Sequence, residues 1–265
     1  MPVPTDPAPP LRHLDVSGAR LAFWDTGGDG PVVLFLHARS GSHRSWPYQC
    51  RELVRAGLRV VAYSRRGHQG SCHETVGYGT DDLVALLDEI GVERAHLVGH
   101  AAGGVWALDA ALARPDRAAG LVLANTTFGL REPEFHAATE QLRPPGFEEL
   151  PATFRELGPN YRSADPDGVR AWSAIERDAL TGTFFFQGFR SPMTWSALES
   201  LAVPTLLVST DADLYMTPHL VSRVAERIRG ARHVTIAAAG HCPHWERPTE
   251  FNAAIIAHAL DAVVP

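Results

Sequence analysis

A sharp turn between a strand and a helix provides the first candidate site for chemistry. The apolar run Ala95 to Val98 leads into the hexapeptide GHAAGG at residues 99–104, and a helical pattern follows at once. Small residues allow such a tight turn, which projects the side chain of position 101 above the edge of the sheet. The context is that of a nucleophile elbow, G-x-S-x-G, with Ala101 where the serine is expected. The alternative, a dinucleotide-binding loop, requires a G-x-G-x-x-G spacing that is absent here.

Two further polar segments follow later strands of the chain. The run Thr205 to Ser209 ends in Thr-Asp-Ala-Asp, which offers Asp211 and Asp213 as candidate acids, and His241 follows Gly240 near the C-terminus. Polar residues after the carboxyl ends of parallel strands meet at one edge of a sheet. The chain order of nucleophile position, acid and histidine fits acyl transfer.

A loop after an early strand could supply an oxyanion hole. The apolar run Val32 to Leu36 is followed by His37, Ala38 and Arg39. A backbone N–H of this loop, which we assign to Arg39, could act with the N–H of Ala102 as two donors to a developing oxyanion.

The elements around these residues predict an α/β fold. Strands and helices alternate, as expected for a mostly parallel central sheet with helices on both faces. The predicted strands are 21–24, 32–36, 59–63, 95–98, 121–124, 205–209 and 233–237, and the predicted helices are 80–90, 102–113, 218–228 and 249–263. We expect residues 1–10, which are rich in proline, to form an irregular arm.

The alternation breaks between residues 127 and 197, where prolines separate short segments rich in aromatic residues. We interpret this stretch as an inserted helical cap between a first core part, 1–126, and a second, 198–265. Most of its aromatic side chains are expected to form the cap's own core, and the rest to line a pocket for a largely apolar substrate. Our candidate substrate-binding residues are His37, His100, Trp172, Phe186 and Trp195; for the two histidines, bracing of the loops around the site is the alternative.

From about Leu11 to the C-terminus the chain resembles the α/β-hydrolases. The resemblance rests jointly on the His37 loop, the segment SRRGH at 64–68, the elbow, Asp213 five residues before Pro218, and Gly-His followed by WERP at 245–248. The nearest branch is that of small esterases and enol-lactone hydrolases. The resemblance implies that His241 is the general base and that Asp213, favoured over Asp211 by its spacing to the proline, orients it.

Alanine at position 101 has no hydroxyl and cannot form an acyl-enzyme. We interpret it as an engineered replacement of a nucleophilic serine, because His241 and Asp213 are retained. Two alternatives remain open for a protein that naturally lacks the nucleophile. One is a lyase or isomerase that uses His241 as base, and the other is a small-molecule binder.

Composition narrows the possible partners. The 265 residues carry 24 Lys and Arg against 30 Asp and Glu, a net charge of −6, and no basic run that would follow a phosphate backbone. Nucleic acid is therefore not an expected partner. The longest apolar stretches, such as residues 253–260, fall well short of the roughly 18 apolar residues that a membrane span requires, so a membrane is not expected either. The oligomeric state stays open. The three cysteines lack paired spacing, and His241, Cys242 and His244 lie closer in sequence than common zinc motifs require. We expect no metal, no cofactor and a cytoplasmic location.

Overall fold

A computed structural model describes residues 3–4 and 9–261, so part of the predicted N-terminal arm and the predicted end of the last helix at Val263 lie outside the described residues. Nine strands of the described residues form one sheet. Their bounds are β1 Arg12–Val16, β2 Ala19–Asp25, β3 Val32–Leu36, β4 Arg59–Tyr63, β5 Cys72–His73, β6 Ala95–His100, β7 Ala118–Ala124, β8 Thr205–Thr210 and β9 Arg232–Ile236.

The sheet is mostly parallel, as predicted. Its order is β1-β2-β4-β3-β6-β7-β8-β9, and the six strands from β4 to β9 in this order pair in parallel. β1, β4 and β5 pair with β2 antiparallel, which makes one end of the sheet mixed. The carboxyl ends of β3, β6, β7 and β8 therefore lie side by side along one edge.

Eleven helices are present in the described part of the chain, together with short 3₁₀ turns. Their bounds are α1 Pro47–Arg55, α2 Gly79–Glu89, α3 Ala102–Ala113, α4 Pro133–Glu140, α5 Ala152–Glu156, α6 Pro159–Ala164, α7 Pro166–Arg177, α8 Trp195–Glu199, α9 Pro218–Ala225, α10 Pro243–Glu246 and α11 Pro248–Asp261. None of the helices in residues 3–4 and 9–261 is both long and apolar enough to cross a membrane.

Both faces of the sheet are covered by helices. Successive side chains of β3 alternate between two apolar cores: Leu34 and Leu36 belong to the core under α2, α3 and α9, whereas Val33 and Phe35 belong to the core under α1 and α11. All five residues of β3 are buried. Strands buried on both faces have this near-continuous apolar sequence.

The helices α4 to α8 form one insertion between β7 and β8, which we call the helical insertion (residues 125–204). Prolines occupy the first turns of α4, α6 and α7, where a missing amide hydrogen costs nothing. Prolines therefore start these short helices as well as separating them. The segment after α7 returns along the sheet edge, where Gln69 N donates to Ala179 O and Thr181 N to Gly67 O.

Candidate active site

The turn between β6 and α3 holds Ala101 in a strained conformation. Ala101 has φ 49° and ψ −120°, a region that residues other than glycine rarely occupy. Its N–H donates to Ala124 O on β7 at 2.9 Å. A Cβ on Gly99 would lie 2.5 Å from Gly104 Cα, and one on Gly103 would meet Leu36 O. The glycines therefore serve close packing of β6, α3 and β3, which leaves the turn no room to relax.

His241 and Asp213 form a buried pair. His241 Nδ1 lies 3.0 Å from Asp213 Oδ1 and 3.1 Å from Oδ2, and the Asp213 side chain has 0% exposure. Asp213 also accepts from Tyr215 N at 2.8 Å and from Asn125 Nδ2 at 2.8 Å. The other candidate acid, Asp211, is exposed. The structure thus joins Asp213, and not Asp211, to His241.

The carboxylate decides both the tautomer and the charge of His241. A proton on Nδ1 donates to Asp213 and leaves the lone pair on Nε2, the form needed in a general base. Burial lowers the pKa of His241, but Asp213, by charge and hydrogen bond, and the more distant Glu156 and Glu246 outweigh it, so the pKa is raised above its ordinary value. His241 is therefore a stronger base than a free imidazole.

Glu246, whose only sequence signal is its place in the WERP motif, fixes the loop that carries His241. Glu246 Oε2 accepts from Gly240 N at 2.9 Å and from Gly158 N at 2.8 Å, and Oε1 accepts from Cys242 N at 3.2 Å. Burial raises the pKa of Glu246 to about 7, against the effect of these three donors. Glu246 thus binds both sequence neighbours of His241 and joins them to the helical insertion.

The predicted oxyanion donors, Arg39 and Ala102, both border the same cavity as Ala101 and His241. Ala102 is the first residue of α3, where the backbone N–H has no acceptor within the helix. Arg39 lies in the loop after β3. The buried Arg65 supports this loop, because its guanidinium donates to His37 O and Ala38 O at 3.3 and 3.4 Å.

The five candidate substrate-binding residues have different environments. His37 braces the loop, since its Nε2 accepts from Arg65 N at 3.0 Å, and His100 Nε2 donates to His241 O at 2.7 Å. Phe186 borders the cavity and is 59% exposed. Trp172 is buried beside Cys242 and borders a separate small cavity. Trp195 is not among the residues around the larger cavity; its ring packs against Phe135 at 5.4 Å.

The cavity between the sheet edge and the helical insertion has a volume of about 360 Å³. One part of its wall is apolar, with Val105, Leu180, Phe184 and Phe186. Another part carries charge, which the aromatic-rich sequence of the insertion did not lead us to expect. The charged side chains that reach the wall are Arg39, Arg143, Glu148, Arg155, Glu156 and Glu176.

Glu156, at the end of α5, is a candidate site residue that the sequence reasoning missed. Ser40 Oγ donates to its Oε2 at 2.6 Å, and its backbone O accepts from His241 N at 2.8 Å. Burial raises the pKa of this carboxyl, and His241 and Ser40 only partly oppose the effect. A lone glutamate in a short helix gives no sequence signal, and only the folded chain brings it to the wall of the cavity.

The arrangement can be compared with known proteins. A sequence profile described as the Alpha/beta hydrolase family matches residues 33–254. Epoxide hydrolase A of Mycobacterium tuberculosis is 30% identical over 94% of this chain and 97% of its own length. The structure of a thermophilic esterase from Thermogutta terrifontis superposes with a TM-score of 0.77 at 25% identity, covering 95% of this chain and 99% of the esterase. An N-acyl homoserine lactone degrading enzyme gives 0.74 at 26% identity, covering 92% and 98%. The chain belongs to the alpha/beta hydrolase family.

Proposed function

We propose that this chain is a serine-type hydrolase of a small ester or lactone in which alanine replaces the attacking residue at position 101. One observation carries the proposal: the strained Ala101 and the buried His241–Asp213 pair border one cavity. Strain of about 1–3 kcal/mol at a non-glycine residue concentrates at functional sites. Alanine at position 101 keeps the strained backbone conformation but lacks the hydroxyl that would attack a substrate.

With serine at position 101, each step has a residue to perform it. His241 Nε2 takes the hydroxyl proton as the serine oxygen attacks the carbonyl carbon. The N–H groups of Arg39 and Ala102 stabilise the oxyanion of the tetrahedral intermediate. The same imidazole then gives its proton to the leaving alcohol, which forms the acyl-enzyme. Water, activated by His241, releases the acid and restores the serine.

The cavity wall supports a substrate with an apolar part and a polar or anionic part. Leu180, Phe184 and Phe186 offer apolar contact, whereas Arg143 is half-buried and forms no ion pair within the described chain. Arg155 is already held by Glu148 at 2.9 Å and Tyr215 Oη at 2.8 Å. The helical insertion acts as the cap that excludes bulk water from this site.

The similarity to an epoxide hydrolase favours a second candidate, epoxide opening. A carboxylate at position 101 could attack an epoxide carbon and form a hydroxyalkyl ester, which His241-activated water would hydrolyse. The departing epoxide oxygen needs a proton donor, and Tyr215 borders the cavity with its ring 4.5 Å from that of His241. Serine and aspartate at position 101 are therefore both tested.

The test compares the chain as it stands with Ala101→Ser and Ala101→Asp on activated esters, lactones and epoxides. We expect ester and lactone turnover, with a burst of product, only in Ala101→Ser, at least about 10³-fold above the parent chain. Epoxide turnover only in Ala101→Asp would replace the first candidate by the second. Turnover in the parent chain that His241→Ala abolishes would show a nucleophile-free lyase or isomerase, and silence of all three forms would indicate a binder.

A further inference from the structure

Three potential metal ligands lie behind the loop that carries His241. They are His100 at the end of β6, Cys242 directly after His241, and His244 in α10. Their ligating atoms all lie within 4.8 Å of one another, and the three side chains are buried. The sequence did not indicate this set, because His100 lies 142 positions before Cys242. The triplet rejected from sequence spacing contained His241 in place of His100.

The ring nitrogens of the two histidines are not all engaged in hydrogen bonds. His100 Nε2 faces the carbonyl oxygen of His241 at 2.7 Å, so this nitrogen must carry the proton and donate. Nδ1 of His100 therefore keeps its lone pair. His244 Nδ1 is buried and has no hydrogen-bond partner in the described structure. The hydrogen bond of His100 is the kind that typically fixes a metal-binding histidine, with the second ring nitrogen donating to a carbonyl or carboxylate.

A small cavity adjoins these side chains. It has a volume of about 10 Å³ and is bordered by His100, Cys242, His244 and Ser40 among others. This is room for about one water molecule or one ion. Next to it, Glu156 Oε2 lies 3.9 Å from Cys242 Sγ. A bound ion could thus take a fourth ligand from water or from this carboxylate.

We propose that His100, Cys242 and His244 form a binding site for one transition-metal ion of the zinc class. Two imidazoles and one thiolate are a donor set for Zn²⁺ or Co²⁺ and do not suit Mg²⁺ or Ca²⁺, which prefer oxygen. Ligand bonds of about 2.0–2.3 Å in a tetrahedron place the ligating atoms roughly 3.5 Å apart. Binding therefore requires a contraction of about 1 Å, and the Cys242 thiol releases its proton to solvent.

The ion would fix the position of the loop that carries His241. His100 precedes Ala101 and donates to His241 O, while Cys242 follows His241. One ion bound to these residues would join the elbow and the His241 loop directly. The site uses none of the residues to which the proposed function assigns a chemical step.

The test uses chelator-treated full-length protein. We expect calorimetry with Zn²⁺ to give one ion per chain, and Co²⁺ to produce a thiolate-to-metal charge-transfer band. Cys242→Ser, a near-isosteric change, should abolish the band, and His244→Gln should weaken Co²⁺ binding by at least about 100-fold. Cys72→Ser, which alters an exposed cysteine, is the matched control and should bind like the parent chain.

Circular dichroism separates loss of the site from loss of the fold. The proposal is overturned if folded parent protein binds no Co²⁺ stoichiometrically. It is also overturned if the charge-transfer band persists in Cys242→Ser or disappears in Cys72→Ser, since the ion would then lie elsewhere. If His244→Gln fails to fold, Cys242→Ser still decides the outcome.

Discussion

Replacing Asp213 by asparagine tests whether its carboxylate is the acid on which His241 depends. In the native site Oδ1 accepts from Tyr215 N and Oδ2 from Asn125 Nδ2, while both oxygens face His241 Nδ1. An amide has only one oxygen. In either orientation its NH₂ group meets a donor, so one buried N–H loses its acceptor and the favoured tautomer of His241 is lost.

The magnitude follows from these contacts. A hydrogen bond to a charged group contributes about 1.5–3 kcal/mol, and a buried donor left unsatisfied costs about 1–3 kcal/mol. We therefore expect Asp213→Asn to lower the free energy of unfolding by about 3 kcal/mol in urea titrations at neutral pH. In the Ala101→Ser background the same change should lower kcat by about 10⁴-fold, the loss seen when the acid of a serine protease triad becomes an amide.

The pH dependence of stability gives an independent check. Because Asp213 raises the pKa of His241 above its ordinary value of 6.5, the folded state holds that proton more tightly than the unfolded state. This contribution is fully present below pH 6.5 and is lost as the pH rises through the raised pKa. The stability difference between the parent chain and Asp213→Asn should therefore shrink at alkaline pH.

Asp211→Asn is the matched control, since it makes the same chemical change two residues away at an exposed position. It should leave both stability and the activity of Ala101→Ser within experimental error. Equal effects of the two substitutions would refute the assignment of Asp213. Full activity of Ala101→Ser/Asp213→Asn would refute the role of the carboxylate altogether.

Three further outcomes are expected from single substitutions. Ala101→Gly should raise the free energy of unfolding by about 1 kcal/mol in urea titrations, because glycine adopts φ 49° without strain; a loss of stability would show that the turn is relaxed. Glu156→Gln should raise the melting temperature at pH 7.5 but not at pH 4. Burial raises the pKa of Glu156 above its ordinary value of 4.5, so the folded state binds this proton more tightly than the unfolded state and stability falls as the pH rises above 4.5. Equal effects at both pH values would contradict this. Arg65→Lys should lower the free energy of unfolding by about 1–3 kcal/mol and raise KM in Ala101→Ser. The guanidinium lies 4.1 Å from the Trp106 ring centroid and donates to two carbonyls of the loop that carries Arg39. Unchanged calorimetric and kinetic values would exclude a bracing role.

The central strands could be predicted from sequence because burial on both faces demands apolar runs. The predicted bounds of β3 and β4 agree with the structure, as do those of α3. β1, Arg12–Val16, was missed because most of it is exposed and it carries little apolar pattern. The two-residue strand β5 offers no pattern at all. α1 was also missed, although its proline at the first turn is a typical start signal.

The candidate site was predictable where a motif fixes the backbone and unpredictable where contact alone decides. The strand-end positions of Ala101, Asp213 and His241 follow from glycine spacing and chain order. Aromatic content could not distinguish a cavity wall from a core, so Trp195 was grouped with Phe186 although it packs against Phe135. Glu156 reaches the site only through the path of the helical insertion, which no local pattern specifies.

The most direct measurement is the intact mass of Ala101→Ser, quenched in acid within the burst phase of its reaction with an activated ester. We expect one added acyl group per chain, located on the peptide that contains residue 101, and no adduct on the parent chain. Two results would contradict the assignment of position 101 as the nucleophile. One is a folded Ala101→Ser protein that hydrolyses the ester without forming an adduct, and the other is an equal acyl adduct on the parent chain.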